Sequence, residues 1–300
     1  MNITIIGTGL IGCSMGMALK KSGHHIRGID NNPMHLEKAL AMGGIDEAEA
    51  SPGEALESAD VVILCIPVDG IIKLLPDVLN NVGPHTTVMD MGSTKEDICR
   101  LADTLNRRAN FVAAHPMAGV EHSGPMAAHV DLFRHARVII CDPQKSSSQA
   151  LSKAMTLLQE LNMRALFMES LQHDRQLALV SHLPQFIAYA LASLPQFDEP
   201  SFEDWVELGG GGLQSSIRLG KSSADMWMPV FQQNKKNLLP FIDAYMEKLT
   251  ELKNAVEQQD EEKINGAIQT ANTNYEKLNY RGEKPAVAVE TQGAPKVYYS

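Results

Sequence analysis

Residues 3–12 read Ile3-Thr4-Ile5-Ile6-Gly7-Thr8-Gly9-Leu10-Ile11-Gly12. A short apolar run ends at Gly7, and from Leu10 to Lys21 apolar residues recur at three-and-four spacing, so a GxGxxG pattern stands between a predicted strand and a predicted helix. In that setting each glycine has a task. Gly7 allows the tight turn, Gly9 lets a pyrophosphate approach the backbone, and Gly12 permits close packing of helix on strand, while Leu10 and Ile11 open a helix whose free N–H groups meet phosphate. Asp30 closes the second predicted strand about 20 residues on, where a carboxylate accepts hydrogen bonds from an adenosine ribose. The extra phosphate of NADP would be repelled there, and Asn31, Asn32 and Pro33 add no cation, so the pattern points to NAD. The plainer reading of the same residues is a glycine turn and an N-capping Asp with no ligand.

Outward from this segment, apolar runs recur at His25 to Ile29, Asp60 to Ile66, Thr86 to Met91, Asn110 to Ala114 and Arg137 to Cys141. Helical periodicity fills Met34 to Met42, Gly70 to Asn80 and Lys95 to Arg107 between them. Alternation of this kind predicts a doubly wound, mostly parallel α/β sheet, and a run such as Val61-Val62-Ile63-Leu64-Cys65-Ile66 suits a strand covered on both faces. After one more predicted strand, Arg164 to Met168, every long segment is helical: Leu171 to Leu194 with Pro184 as its kink or break, Met226 to Gln258, and Asp260 to Tyr280. The expected division is a cofactor domain at 1–168, an all-α domain at 169–280 and a mobile tail at 281–300. So many apolar helices in so small a domain suggest burial across a two-fold axis, hence a homodimer.

The 300 residues are 44% hydrophobic and 21% charged, an ordinary globular balance, and the net charge of -10 disfavours nucleic acid and anionic membrane as partners. An anionic small-molecule substrate would therefore need a local basic pocket. Cys13, Cys65, Cys99 and Cys141 are scattered without a CxxC pair, which suits reduced thiols in a cytoplasmic protein. The N-terminus has no signal-peptide pattern, and no apolar stretch reaches the roughly 18 to 20 residues of a membrane span.

A second constellation follows the strand at 110–114: His115-Pro116-Met117-Ala118-Gly119-Val120-Glu121-His122-Ser123-Gly124. It falls at the carboxyl edge of a parallel sheet, where ligands bind. His115 there suits a general base towards a hydroxyl whose carbon loses hydride, because an imidazole takes up a proton near neutral pH; equally, it is a histidine that bonds its own loop. His115 and His122 gather no ligand set, so no metal is expected. Ser93, in Asp90-Met91-Gly92-Ser93-Thr94-Lys95, shares the same edge and is also a natural helix N-cap. Gly209 to Gly212 precede Arg218 and Lys221, either as a flexible link or as a hinge that brings cations to an anionic substrate.

Taken in order, the glycine motif, Gly92-Ser93-x-Lys95, the HPMAG-x-E-x-SG segment, Ser181-His182-Leu183-Pro184 and the glycine run leading to Arg218 and Met226-Trp227 resemble the prephenate and arogenate dehydrogenases of tyrosine biosynthesis, over roughly residues 1 to 280. That resemblance implies a Rossmann domain followed by a helical dimerisation domain, and an NAD-dependent oxidative decarboxylation of a cyclohexadienol. Carried over position by position, it makes His115 the acceptor of the ring hydroxyl proton and gives Ser93 that hydroxyl, or the placing of His115 and the nicotinamide, to hold. It makes Arg218 the partner of a substrate carboxylate and Glu121 a member of a nearby polar network. Ser181, Gln185 and Gly212 fall at substrate-facing positions of the same motifs. Many prephenate-using members read SHLPH, whereas this chain has Gln185 after Pro184, which leaves the choice between prephenate and arogenate open. A 3-hydroxyacid dehydrogenase using Lys221, and an NAD-sensing protein without turnover, are the competing assignments.

Overall fold

The structure, a computed structural model, describes residues 1–49, 53–120, 122–194 and 207–279. Strands β1 (Asn2–Ile6), β2 (His25–Ile29), β3 (Glu47–Glu49), β4 (Val61–Leu64), β5 (Thr87–Asp90), β6 (Phe111–Met117), β7 (Arg137–Cys141) and β8 (Arg164–Met168) form one sheet in the order β3-β2-β1-β4-β5-β6-β7-β8. The order reverses between β1 and β4, which opens a crevice beyond their carboxyl ends. The helices between strands are α1 (Leu10–Lys21), α2 (Pro33–Ala41), α3 (Gly53–Glu57), α4 (Val68–Asn81), α5 (Glu96–Ala102) and α6 (Ser148–Glu160).

Strand alternation divides the core. Ile3, Ile5, Ile63, Val112 and Ile140 bury one sheet face with Leu157 and Leu158 of α6; Ile6, Leu64, Val88, Phe111 and Ala113 bury the other with Ile71, Leu75 and Ile98. Both faces are covered, as the unbroken apolar runs require.

Three features depart from the expected pattern. β7 runs antiparallel to β6: among the described residues of 118–136 the helical element is one 3-10 turn, Pro125–Ala127, and not the crossover helix that a parallel return needs. β3 is a three-residue edge strand of sequence Glu-Ala-Glu, with no apolar signal of its own, paired to β2 and tied by Arg27 Nε to Glu47 Oε2 at 3.2 Å. The helix expected through Arg107 stops at Ala102, where Thr104 and Leu105 donate to carbonyls three residues back and close the last turn.

Beyond the sheet come α7 (Ser170–Leu177), a π turn (Ala178–His182), α8 (Leu183–Ala192), α9 (Gly211–Ile217), a 3-10 turn (Arg218–Lys221), α10 (Ala224–Gln233), α11 (Lys235–Glu257) and α12 (Glu261–Asn279). Pro184 sits in the first turn of α8, directly after the π turn that joins α8 to α7. One compact unit extends from residue 1 to 242, since Leu177, Trp227 and Val230 belong to the same apolar cluster as the β4 and β6 face. Residues 243–300 form the second unit, whose described helices carry exposed apolar stripes: Met246, Leu249, Leu252 and Val256 on α11, then Ile268, Tyr275 and Leu278 on α12. Among the described residues no helix is long and apolar enough to cross a membrane. Glu121 and the segment 281–300 lie outside the described residues.

Candidate active site

The glycine loop follows β1 at the point where strand order reverses. Gly7 has φ of 95°, and a Cβ there would stand 2.5 Å from the carbonyl oxygen of Cys65, just past β4. A Cβ on Gly12 would stand 2.0 Å from the carbonyl oxygen of Gly7, so only glycine lets α1 start this close to the turn. Gly9 differs: a Cβ there meets nothing within 4 Å. It is also the N-cap of α1, so no capping side chain takes up the helix's first N–H groups, beside partly exposed Leu10 and Ile11. An anionic pyrophosphate fits this cradle in both shape and charge.

Asp30 ends just beyond β2, with its side chain 7% exposed. One oxygen accepts from the Thr8 N–H at 2.7 Å and the Thr8 hydroxyl at 3.1 Å, and the other accepts from the Asn32 N–H at 2.9 Å. Asn32, not Asp30, caps α2, through its side chain and Met34 N. The carboxylate is therefore fixed against the glycine loop, leaving one oxygen with acceptor capacity for a ribose hydroxyl.

His115 lies on β6 with the parity of Phe111 and Ala113, so it faces the helices that cover that side of the sheet. It is 8% exposed, and its Nδ1 stands 2.8 Å from Nε2 of His173 on α7. His173 Nδ1 is in turn 2.7 Å from Oδ1 of Asp174. Asp174 also accepts the N–H of Lys95 at 2.7 Å and that of Glu96 at 2.9 Å, so it caps α5 from 79 residues away. Burial and the nearby His173, Lys95 and His182 hold the His115 pKa well below the ordinary histidine value. Burial does the same to His173 and takes His182 down to about 4. Under the site, Lys95 forms a fully buried ion pair with Asp90.

Asn234 of the helical part closes the network, with its amide nitrogen 2.7 Å from the Asp174 carbonyl oxygen and 2.9 Å from His182 Nδ1. Its amide oxygen accepts from Asn237 at 2.8 Å, which fixes the orientation of the Asn234 amide. His182 Nε2 is a buried donor without a partner among the described residues. None of His173, Asp174, His182 or Asn234 was singled out from sequence as part of the site. Only His182 lay within a quoted motif, and the contacts that matter span 52 to 79 residues.

Ser93 is half-buried on the turn between β5 and α5, and no hydrogen bond holds its hydroxyl among the described residues. It is not the N-cap: α5 begins at Glu96, and Asp174 does the capping. Ser181 is half-buried in the π turn. Gln185 is 1% exposed, and one N–H of its amide donates to the carbonyl oxygen of Leu219 at 2.7 Å, on the turn that carries Arg218. Arg218 is exposed on that turn. Gly211 and Gly212 form the first turn of α9, where neither crowding nor positive φ demands glycine. Gly212 accepts the Ser216 hydroxyl through its carbonyl at 2.9 Å.

A doubly wound sheet with an anion cradle at its switch point, and a buried neutral imidazole on β6, two strands from β4, defines a dinucleotide-binding oxidoreductase. The family profile described as "Prephenate dehydrogenase, nucleotide-binding domain" matches residues 15–167, and "Prephenate dehydrogenase, dimerization domain" matches residues 169–270. The chain belongs to the prephenate dehydrogenase family. It is 32% identical over 273 residues to the prephenate dehydrogenase of Bacillus subtilis, which spans 90% of this chain and 74% of that protein. Its structure is similar to that of prephenate dehydrogenase from Aquifex aeolicus, solved with hydroxyphenyl propionate and NAD+, at a TM-score of 0.83, 29% identity and coverage of 93% of this chain and 98% of that one. The Synechocystis arogenate dehydrogenase is also similar, at a TM-score of 0.75, 25% identity and coverage of 93% and 100%.

Proposed function

We propose that this chain oxidises prephenate, or its amino-acid counterpart arogenate, with loss of carbon dioxide and NAD as acceptor, in tyrosine biosynthesis. The observation that carries the proposal is His115: a buried imidazole, neutral at physiological pH, on β6 of the same sheet whose β1 leads into the glycine cradle. Gly7, Gly9, Gly12, Leu10, Ile11 and Asp30 hold the cofactor, which supplies the acceptor for a hydride. His115 takes the proton of the ring hydroxyl as hydride leaves the same carbon, Ser93 holds that hydroxyl, and Arg218 binds a substrate carboxylate. The ring carboxylate leaves as carbon dioxide, its bonding electrons complete the aromatic ring, and His115 returns the proton to the phenolic oxygen. Ser181, Gln185, Glu121 and Gly212 complete the substrate side, and Gln185 also holds the turn that carries Arg218 through its bond to Leu219.

We take residues 1–168 as the cofactor part and 169–280 as the substrate and dimer part of a homodimer, with no part for nucleic acid or membrane. The apolar stripes on α11 and α12 support this reading, because such faces favour burial against a second copy. NADH formation measured with prephenate and with arogenate, each with NAD and NADP, tests the activity and ranks the substrates. Absence of turnover with both substrates would refute it. Light scattering of the purified protein tests the dimer.

A further inference from the structure

His115 has two ring nitrogens, and only one can serve as the base. Which nitrogen is free depends on where the other one's proton goes. We propose that His173 and Asp174 are positioning residues that hold His115 with its proton on Nδ1, leaving the Nε2 lone pair to receive the reactant's proton. This inference rests on the reading of His115 as the base.

The chain of tautomers starts at Asp174. Its Oδ1 faces the Lys95 N–H and its Oδ2 the Glu96 N–H, so both oxygens act as acceptors and the remaining contact, His173 Nδ1 at 2.7 Å, is donated by the imidazole. A neutral His173 with its proton on Nδ1 has a bare Nε2. That nitrogen lies 2.8 Å from His115 Nδ1, so the proton between the rings belongs to His115. Neutral His115 then has a bare Nε2, which makes no hydrogen bond among the described residues. An unconstrained histidine favours the opposite tautomer, with the proton on Nε2 and no base available on that side.

The charged groups around the pair are consistent with this order. Lys95, at the N-cap of α5, and His182, on the π turn, face it, and the ammonium of Lys95 is matched by Asp90. When Nε2 takes a proton, the imidazolium keeps its Nδ1 bond to His173, and Asp174 lies one ring further along as the counter-charge. The proton then returns from Nε2 to the phenolic oxygen, so the relay holds tautomers and transfers no proton of its own.

The experiment is nitrogen-15 NMR of histidine-labelled full-length protein, with the His115 signals assigned by their loss in His115→Asn. The variants are His173→Leu, which removes the acceptor, and His173→Gln, whose amide offers an oxygen to His115 and an N–H to Asp174. Expected in the unaltered protein is a proton on His115 Nδ1 and a bare Nε2. His173→Leu should move the proton to Nε2 and lower kcat by about 100-fold or more, with the KM for NAD nearly unchanged. His173→Gln should keep the Nδ1 proton and recover most of kcat. A proton on Nε2 in the unaltered protein overturns the proposal even if His173→Leu fails to fold. So does a folded His173→Leu with full kcat or an unmoved proton. Normal kcat in His115→Asn would refute the reading of His115 as base, while the tautomer measurement would still report separately on the relay.

Discussion

Thr8 donates twice to a single oxygen of Asp30, from its N–H at 2.7 Å and its hydroxyl at 3.1 Å, so the glycine loop and the end of β2 are held as one piece. Selectivity for the ribose and the shape of the phosphate cradle therefore depend on the same carboxylate. NAD should be used far better than NADP. Asp30→Asn keeps an acceptor for Thr8 and removes the charge, so the ratio of kcat/KM for NADP over NAD should rise by about 10-fold or more while efficiency with NAD falls. Equal efficiency with both cofactors in the unaltered protein would remove the discriminating role of Asp30.

Replacing the base separates binding from chemistry. His115→Asn should leave NAD affinity nearly intact and lower turnover by about 100-fold or more. Ser93→Ala should cost less, since the hydroxyl loses one partner and the base remains. Calorimetric NAD binding beside steady-state kinetics checks both, and near-normal turnover in His115→Asn would return that residue to a packing role.

Arg218 carries the substrate charge in this scheme. Arg218→Ala should raise apparent substrate KM by about 10-fold to 150-fold without an equal effect on NAD, and Arg218→Lys should recover only part, because the planar fork is lost. Unchanged KM for both prephenate and arogenate would direct the search for the cation to Lys221 and Lys235.

Acid should affect rate and stability alike. His115 must be neutral to act, and its pKa is held below the ordinary value near 6.5, so the acid limb of kcat/KM should fall below about pH 6.5. For stability, a depressed histidine refuses protons that the unfolded chain binds, so its contribution is complete above about pH 6.5 and is lost as pH falls through the folded value. For His182, with a folded value of about 4, this amounts to about 3 kcal/mol across that window. Asp174, whose carboxyl is raised by burial, opposes part of the loss. A Tm series from about pH 8 to about pH 4 should decline on the acid side, and a flat profile there would contradict the burial of neutral imidazoles.

The sheet and its cradle were legible in the sequence because their signals are local. β2, β7 and β8 span the residues that apolar runs mark, and Gly7, Gly9 and Gly12 stand at fixed steps between a strand and a helix. His115 was marked as the residue directly after an apolar run ending at Ala114, whereas β6 continues through it to Met117. What surrounds it was not. Nothing local in Ser170–Leu177 marks His173 and Asp174, which matter only because α7 packs where the Asp174 carboxylate reaches the N–H groups of Lys95 and Glu96. Gly16 was passed over in the same way, though a Cβ there would stand 1.8 Å from the carbonyl oxygen of Gly44. The sequence motif did not show that the Gln185 amide bonds to Leu219, 34 residues further on. Sequence periodicity reports which face of an element is apolar, and so determined the layers and the carboxyl edge. Hydrogen-bond partners and close backbone approaches depend on how elements from distant parts of the chain meet, and only the tertiary structure decided those.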